Sequence, residues 1–161
     1  MGKYSVNDLF CGGGGIGLGF KNAGFEIAGA WDFDKYAVQS YAHNVGKHVV
    51  QADITKMTGK DIPKAHAWTF GFPCVDISRS KMGERLGLKG PGSKMFYEVM
   101  RLLKEVNEEV KPDVLMAENV PDVADALPEI AEEFEKVGYT KFYAHKLNTM
   151  YWDCAQNRER Y

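Results

Sequence analysis

Three short stretches of this chain carry side chains suited to covalent chemistry on a ring. Gly71-Phe72-Pro73-Cys74 sets a cysteine directly after a proline at the end of an apolar run. Glu118-Asn119-Val120 closes a second such run, and Gln156-Asn157-Arg158-Glu159-Arg160 supplies two guanidiniums. A thiolate is the most readily activated side-chain nucleophile. A carboxyl group can hold or move a proton, and a forked guanidinium grips a carbonyl, carboxylate or phosphate. Such a set is equipped to attack a pyrimidine ring. Each member also has a bland reading: a lone cysteine packs as a small hydrophobe, and Arg-Glu-Arg serves as a surface charge run.

Upstream, Asp8-Leu9-Phe10-Cys11-Gly12-Gly13-Gly14-Gly15 offers backbone space for a nucleoside cofactor. Gly12, Gly14 and Gly17 fit G-x-G-x-x-G, and Asp32 follows Gly12 by twenty positions. In that spacing glycines admit the ligand to the backbone and the acid accepts ribose hydroxyls. Nicotinamide dinucleotides and S-adenosylmethionine share this geometry, so the fingerprint alone does not choose between them. Gly15 or Gly17 equally suits close helix–strand packing.

The elements that must position these residues alternate along the chain. Val6 to Phe10 reads as a strand, followed by a tight glycine loop and a helix through Ile16, Leu18 and Phe20. Phe25 to Trp31 is a second strand, and Asp34 to His43 a helix capped by Asp32 or Asp34. His48 to Ala52 and Ala67 to Phe72 are the third and fourth strands. Val75 to Lys94 is a long loop rich in Gly and Lys, of a length that usually marks a functional lid. Met95, Phe96, Val99, Met100, Leu103 and Val106 recur at the spacing of one helical face. Val114 to Ala117 is a fifth strand, Pro128 to Val137 a helix stopped by Gly138, and Tyr139 to Leu147 an alternating sixth strand. Strands alternating with helices predict an α/β fold with a doubly wound, mostly parallel sheet. Ligands bind such sheets beyond the carboxyl ends of the strands, where Phe10, Asp32, Asp53, Cys74 and Glu118 all fall.

At 161 residues the chain suits one domain, spanning residues 1–161, with one real core. No segment approaches a membrane span, no signal peptide is evident, and no membrane partner is expected. Cys11, Cys74 and Cys154 form no CxxC pair, which points to a reducing compartment such as the cytoplasm or a nucleus. Cys11 and Cys154 are expected to pack rather than react. His43, His48, His66 and His145 lack metal-ligand spacing, so no metal is expected. The net charge of -2 does not itself suggest a nucleic-acid partner, although Arg79, Lys81, Arg85, Lys89 and Lys94 cluster in the long loop.

Taken in order, these motifs resemble the DNA (cytosine-5) methyltransferases, from the first cofactor motif Asp8-Leu9-Phe10-Cys11-Gly12 through Pro73-Cys74 and Glu118-Asn119-Val120 to Gln156-x-Arg158-x-Arg160. The resemblance implies a Rossmann-like methyltransferase fold binding S-adenosylmethionine, with S-adenosylhomocysteine as product. It places Phe10, Gly12, Gly14, Gly15 and Ile16 around the methionine part, Asp32 on the ribose and Phe33 against adenine. Asp53 and Ile54 fall at the adenine amino group, and Pro73 also lies on the cofactor side. Asp32 and Asp53 each have an alternative as a cap or turn residue.

The same resemblance implies transfer of a methyl group to carbon 5 of cytosine in DNA. Carbon 5 is a poor nucleophile until a thiolate adds to carbon 6, the role of Cys74. Glu118 would meet ring nitrogen 3 and the exocyclic amine, with Asn119, on the substrate side, bracing it and nearby backbone. Arg160, supported by Arg158 and Gln156, would hold the base or orient Glu118. Because the target atoms lie within the base stack, the cytosine must be flipped out, with Ser78 near the DNA backbone. An RNA cytosine is a variant of this reading. An inactive S-adenosylmethionine-binding regulatory or partner module is the alternative.

The match departs from the family at Val75-Asp76, where a glutamine commonly follows Pro-Cys, and an acid so placed raises a thiol pKa. It departs also at Gly90 to Lys94, which lacks an arginine, and at Asp153-Cys154-Ala155, where Gly-x-Pro is usual. Family members continue past the Gln-x-Arg-x-Arg motif into more sheet and a target recognition domain. The expectation is therefore a C-terminally incomplete catalytic domain, one piece of a split or truncated enzyme needing a complementing chain or missing domain.

Overall fold

Apolar residues of β1 (Ser5–Leu9) place that strand at the centre of a five-stranded sheet of order β3-β2-β1-β4-β5. The neighbours are β2 (Glu26–Asp32), β3 (Val49–Gln51), β4 (Ala67–Gly71) and β5 (Val114–Glu118). β1 pairs in parallel with β2 and β4, and β2 with β3. Parallel neighbours require crossovers, supplied for β1–β2 and β2–β3 by α1 (Gly15–Asn22) and α2 (Lys35–Asn44), and α3 (Lys94–Glu105) lies between β4 and β5 in the chain. α4 (Leu127–Lys136) follows the sheet, and β6 (Leu147–Asn148) pairs antiparallel with β7 (Glu159–Arg160). The computed structural model describes residues 4–73, 94–152 and 154–161. Cys74, Ser78 and the predicted loop up to residue 93 lie outside the described residues.

The chain divides into two compact units: Met1–Gly71 with Arg101–Ala117, and Phe72–Met100 with Glu118–Tyr161. In the first, Val6, Leu9, Trp68 and Phe70 on the central strands are fully buried. Cys11, Ala30, Tyr41 and Val45 form a cluster completed by Ile27 and Val49. In the second, a run of rings builds the core: Phe72 to Phe96 at 5.3 Å between centroids, Phe96 to Phe134 at 5.8 Å, and Phe134 to Phe142 at 5.9 Å. Burying each such ring stabilises the fold by roughly 1.5–3 kcal/mol.

The helix ends follow their local chemistry. Asp34, not Asp32, caps α2, its Oδ1 accepting from the N–H groups of Tyr36 and Ala37 at 2.8 Å. Gly138 stops α4 in the left-handed region at φ 98°, as predicted. The apolar face of α3 is buried at Phe96, Val99, Met100 and Leu103, and Val106 just beyond its end is buried as well.

Two expectations fail. The alternating stretch from Tyr139 does not form a sixth strand: only Leu147 and Asn148 at its end are paired. A period of two stabilises a strand only where a ladder partner and a buried face exist. Here Tyr143 and Leu147 are exposed, and no strand ladder among the described residues includes 139–146. Cys154 does not pack; it is exposed, whereas Cys11 is buried as expected.

Candidate functional site

The first unit carries the candidate nucleoside site on the loop after β1. Phe10 takes φ 55°, the one positive value for a non-glycine among the described residues. Such conformations cost about 1–3 kcal/mol and persist only where the surroundings hold them. The Cys11 N–H donates to the Trp31 carbonyl at 3.0 Å and the Gly14 N–H to the Cys11 carbonyl at 3.0 Å. The Gly12 N–H donates to Asp32 Oδ2 at 2.8 Å, while Asp32 Oδ1 accepts from the Asp34 N–H at 2.9 Å. Asp32 thus ties the glycine loop to the end of β2. A carboxylate offers about four acceptor sites, so both oxygens keep capacity for hydroxyl donors.

The glycines have two kinds of surroundings. A Cβ on Gly12 or Gly15 would meet nothing within 4 Å, so both turn backbone toward open space. Gly14, at φ 96°, would drive a Cβ into Val45 and Tyr41. At Gly17 a Cβ would stand 2.6 Å from Tyr41 Oη and 2.7 Å from Asp8 Oδ2. Gly14 and Gly17 therefore meet packing needs, and Gly12 and Gly15 form the open cradle, flanked by the half-buried Ile16. That division fits a nucleoside or amino-acid moiety lying on the loop.

Phe33, beside Asp32, is 72% exposed and free to stack. On the adjacent parallel strand the Ala52 N–H donates to the Asp32 carbonyl at 2.9 Å, which brings Asp53 to the neighbouring strand end. Asp53 Oδ1 accepts from the Thr55 N–H at 3.1 Å and from Thr55 Oγ1 at 2.7 Å. Those bonds hold its carboxyl below the usual range, with Lys56 adding a smaller effect. The turn-capping reading of Asp53 is thus realised. Ile54 is buried.

The second unit carries the candidate acid and its guanidinium. Glu118 ends β5, and Arg160 Nε donates to its Oε1 at 2.8 Å. The contact depends on the C-terminal strand: Asn119 and Tyr161 exchange both backbone hydrogen bonds at 3.0 Å, which sets residue 160 beside residue 118. Asn119 is buried, and its Nδ2 donates to the Phe72 carbonyl at 3.0 Å while its Oδ1 accepts from the Val120 N–H at 2.9 Å. Its carboxamide faces backbone, bracing the residue just before exposed Pro73.

A polar cavity of about 540 Å³ is lined by Pro121, Gln156, Asn157, Arg158, Glu159 and Arg160. Gln156 and Arg158 are exposed. The hairpin around them is held by Asn148, whose Oδ1 accepts from the Met150 and Arg158 N–H groups, and by Thr149 Oγ1, which donates to the Gln156 carbonyl at 2.6 Å. The expected bracing of nearby backbone by Asn119 is met at Phe72 and Val120, whereas the particular Phe72 partner and the left-handed Phe10 were not foreseen. Nothing in the residue types signals either of them.

The family model described as C-5 cytosine-specific DNA methylase matches residues 4–161. The chain is 36% identical over 157 residues to the type II methyltransferase M.FnuDI of Fusobacterium nucleatum, covering 94% of this chain and 44% of that protein. It is 34% identical over 164 residues to the type II methyltransferase M.NlaX of Neisseria lactamica, covering 98% and 50%. The solved Dnmt2 methyltransferase of S. pombe superposes with a TM-score of 0.75 at 26% identity, covering 98% of this chain and 49% of that one. The chain spans about half the length, or less, of the curated relatives it matches.

Proposed function

Because this chain belongs to the C-5 cytosine-specific DNA methylase family, we propose that it carries the reaction centre for methylation of carbon 5 of cytosine in DNA. The observation that carries the reading is the Arg160–Glu118 contact at 2.8 Å, which joins two motifs far apart in sequence and gives each a task. S-adenosylmethionine, when bound, supplies an electrophilic methyl group on a sulfonium and leaves as S-adenosylhomocysteine. Gly12 and Gly15 turn open backbone to it, Asp32 accepts its ribose hydroxyls, Phe33 stacks on its adenine and Asp53 faces the amino edge.

In this proposal the Cys74 thiolate adds to carbon 6 of a flipped-out cytosine, and the electron pair displaced from the 5,6 double bond makes carbon 5 nucleophilic. Glu118 meets ring nitrogen 3 and the exocyclic amine through the oxygen not held by Arg160. After carbon 5 takes the methyl group, a base removes its proton, the double bond returns and the thiolate leaves. Asn119 acts as a positioning residue, holding the Phe72 carbonyl and so the chain entering Pro73-Cys74. Arg158 and Gln156 line the polar cavity and contact the base or the DNA backbone, with Ser78 on the DNA as well. Cys11 is unsuited to the nucleophilic role: it is buried, and burial pushes its thiol pKa far up, with Asp8 and Asp32 adding to the effect.

The test is intact mass after incubation with S-adenosylmethionine and duplex DNA carrying 5-fluorocytosine, with and without the C-terminal half of a relative. Fluorine at carbon 5 blocks proton removal, so a covalent product accumulates. An adduct that disappears in Cys74→Ser supports the reading. A folded, cofactor-binding chain that forms no adduct even with the added half overturns it, and leaves a cofactor-binding module.

A further inference from the structure

The segment after Asp53 runs through two short 3-10 turns, Ile54–Lys56 and Gly59–Asp61, before reaching β4. Irregular segments leave carbonyls that need donors, and one side chain of α3 supplies them here. Arg101 Nη2 donates to the carbonyls of Ile54 and Met57, each at 3.0 Å. Its Nη1 donates to Glu105 Oε1 at 2.6 Å, and Glu105 Oε2 accepts from the Gly59 N–H at 3.1 Å. At Gly59 a Cβ would fall 2.6 Å from the Glu105 carbonyl carbon, so helix and segment touch backbone to backbone. The whole network lies within the first unit.

We propose that Arg101, with Glu105, is a positioning residue of the cofactor site: it clamps residues 54–59 and thereby fixes where Asp53 presents its carboxylate to the exocyclic amine of a bound nucleoside. The inference rests on the proposed nucleoside reading of Asp32, Phe33 and Asp53. Burial of Ile54 and Met57 anchors the segment apolarly, which keeps the fold when the guanidinium is removed. What the guanidinium adds is direction. A charged fork bonded to two carbonyls and a carboxylate holds the turn in one place, and a lysine cannot make the same set of bonds.

The experiment measures, by calorimetry on the full chain, binding of S-adenosylhomocysteine and of S-inosylhomocysteine, which lacks the exocyclic amine. Arg101→Met, Arg101→Lys and Glu105→Gln are compared with the unaltered protein. The unaltered protein is expected to prefer the amine-bearing ligand by about tenfold, the order of one hydrogen bond to a charged group. Arg101→Met is expected to bring that ratio close to one, with Arg101→Lys and Glu105→Gln between. Equal weakening of both ligands, or an unchanged ratio, overturns the proposal. If the unaltered protein binds neither ligand, the nucleoside reading fails. The clamp is then judged by hydrogen exchange at the amides of residues 55–59: faster exchange in Arg101→Met upholds it, and unchanged exchange sinks it.

Discussion

Arg160 Nε donates to Glu118 Oε1 at 2.8 Å, with the two side chains 26% and 34% exposed. At that exposure the pair adds less than about 1 kcal/mol to stability, so in the proposed reaction its worth lies in orientation. Removing it should therefore separate activity from folding. Glu118→Gln and Arg160→Met are each expected to lower methyl transfer by about 10²–10⁴-fold, the range for a positioned acid–base group. Their unfolding midpoints should stay near that of the unaltered chain. A matching collapse of both quantities would show the pair to be a structural support instead.

Asn119 should behave in the opposite way. Its buried carboxamide joins the Phe72 carbonyl to the Val120 N–H, and losing it removes two buried hydrogen bonds. Asn119→Ala is expected to cost about 1–3 kcal/mol in denaturant unfolding. Asn119→Asp sets an oxygen against the Phe72 carbonyl and should cost at least as much. If Asn119→Ala unfolds like the unaltered protein, the brace is not needed.

Gly17 tests the packing under the glycine loop. With Tyr41 Oη and Asp8 Oδ2 within 2.7 Å of where a Cβ would stand, Gly17→Ala must displace one of them. A loss of about 1–3 kcal/mol is expected in chemical unfolding. Gly15→Ala has open space and should leave stability nearly unchanged while weakening S-adenosylhomocysteine binding in calorimetry. Equal stability losses in the two variants would undo this division of the glycines.

Asp8 gives the chain a pH dependence of unusual sign. Burial lifts its pKa from 3.8 to about 7; the Gly17 N–H pulls it back and the charge of Asp32 pushes it up. Cys11 and Tyr41 are the other titratable groups close to it. A carboxyl raised in the folded state contributes its full stability below the unfolded pKa and loses it as pH rises toward the folded value. Between about pH 4 and 7 the unaltered protein should lose roughly 4 kcal/mol relative to Asp8→Asn, since each factor of ten in proton affinity is worth about 1.4 kcal/mol. Urea midpoints of both proteins across that window give the measurement. Parallel curves would mean Asp8 ionises in the folded state as it does in the unfolded one.

Much of the fold was legible because its signals are local. The apolar runs at Val6, Phe25, Ala67 and Val114 became β1, β2, β4 and β5 within a residue or two, and the helical spacing from Met95 became α3. Gly138 could be read as a helix end, and the cap of α2 narrowed to Asp32 or Asp34, because left-handed stops and capping depend on nearest neighbours. The stretch from Tyr139 carried an equally clear alternation and did not become a strand, since alternation says nothing about whether a ladder partner stands alongside.

For the site, residue types and spacing marked Gly12 and Asp32 as candidates, the family resemblance added Glu118 and Arg160, and Asp32 and Glu118 were expected at strand ends. Tertiary structure decided the rest. It turned Gly12 and Gly15 to open space and Gly14 and Gly17 to Tyr41, and it set Asp32 to hold Gly12. It spent the Asn119 carboxamide on backbone, paired Arg160 rather than exposed Arg158 with Glu118, and set Arg101 over the turn after Asp53. Each of these depends on which distant segment lies opposite a given backbone group. That is settled by the packing of the whole chain, whereas strand, helix and cap are settled within a few residues.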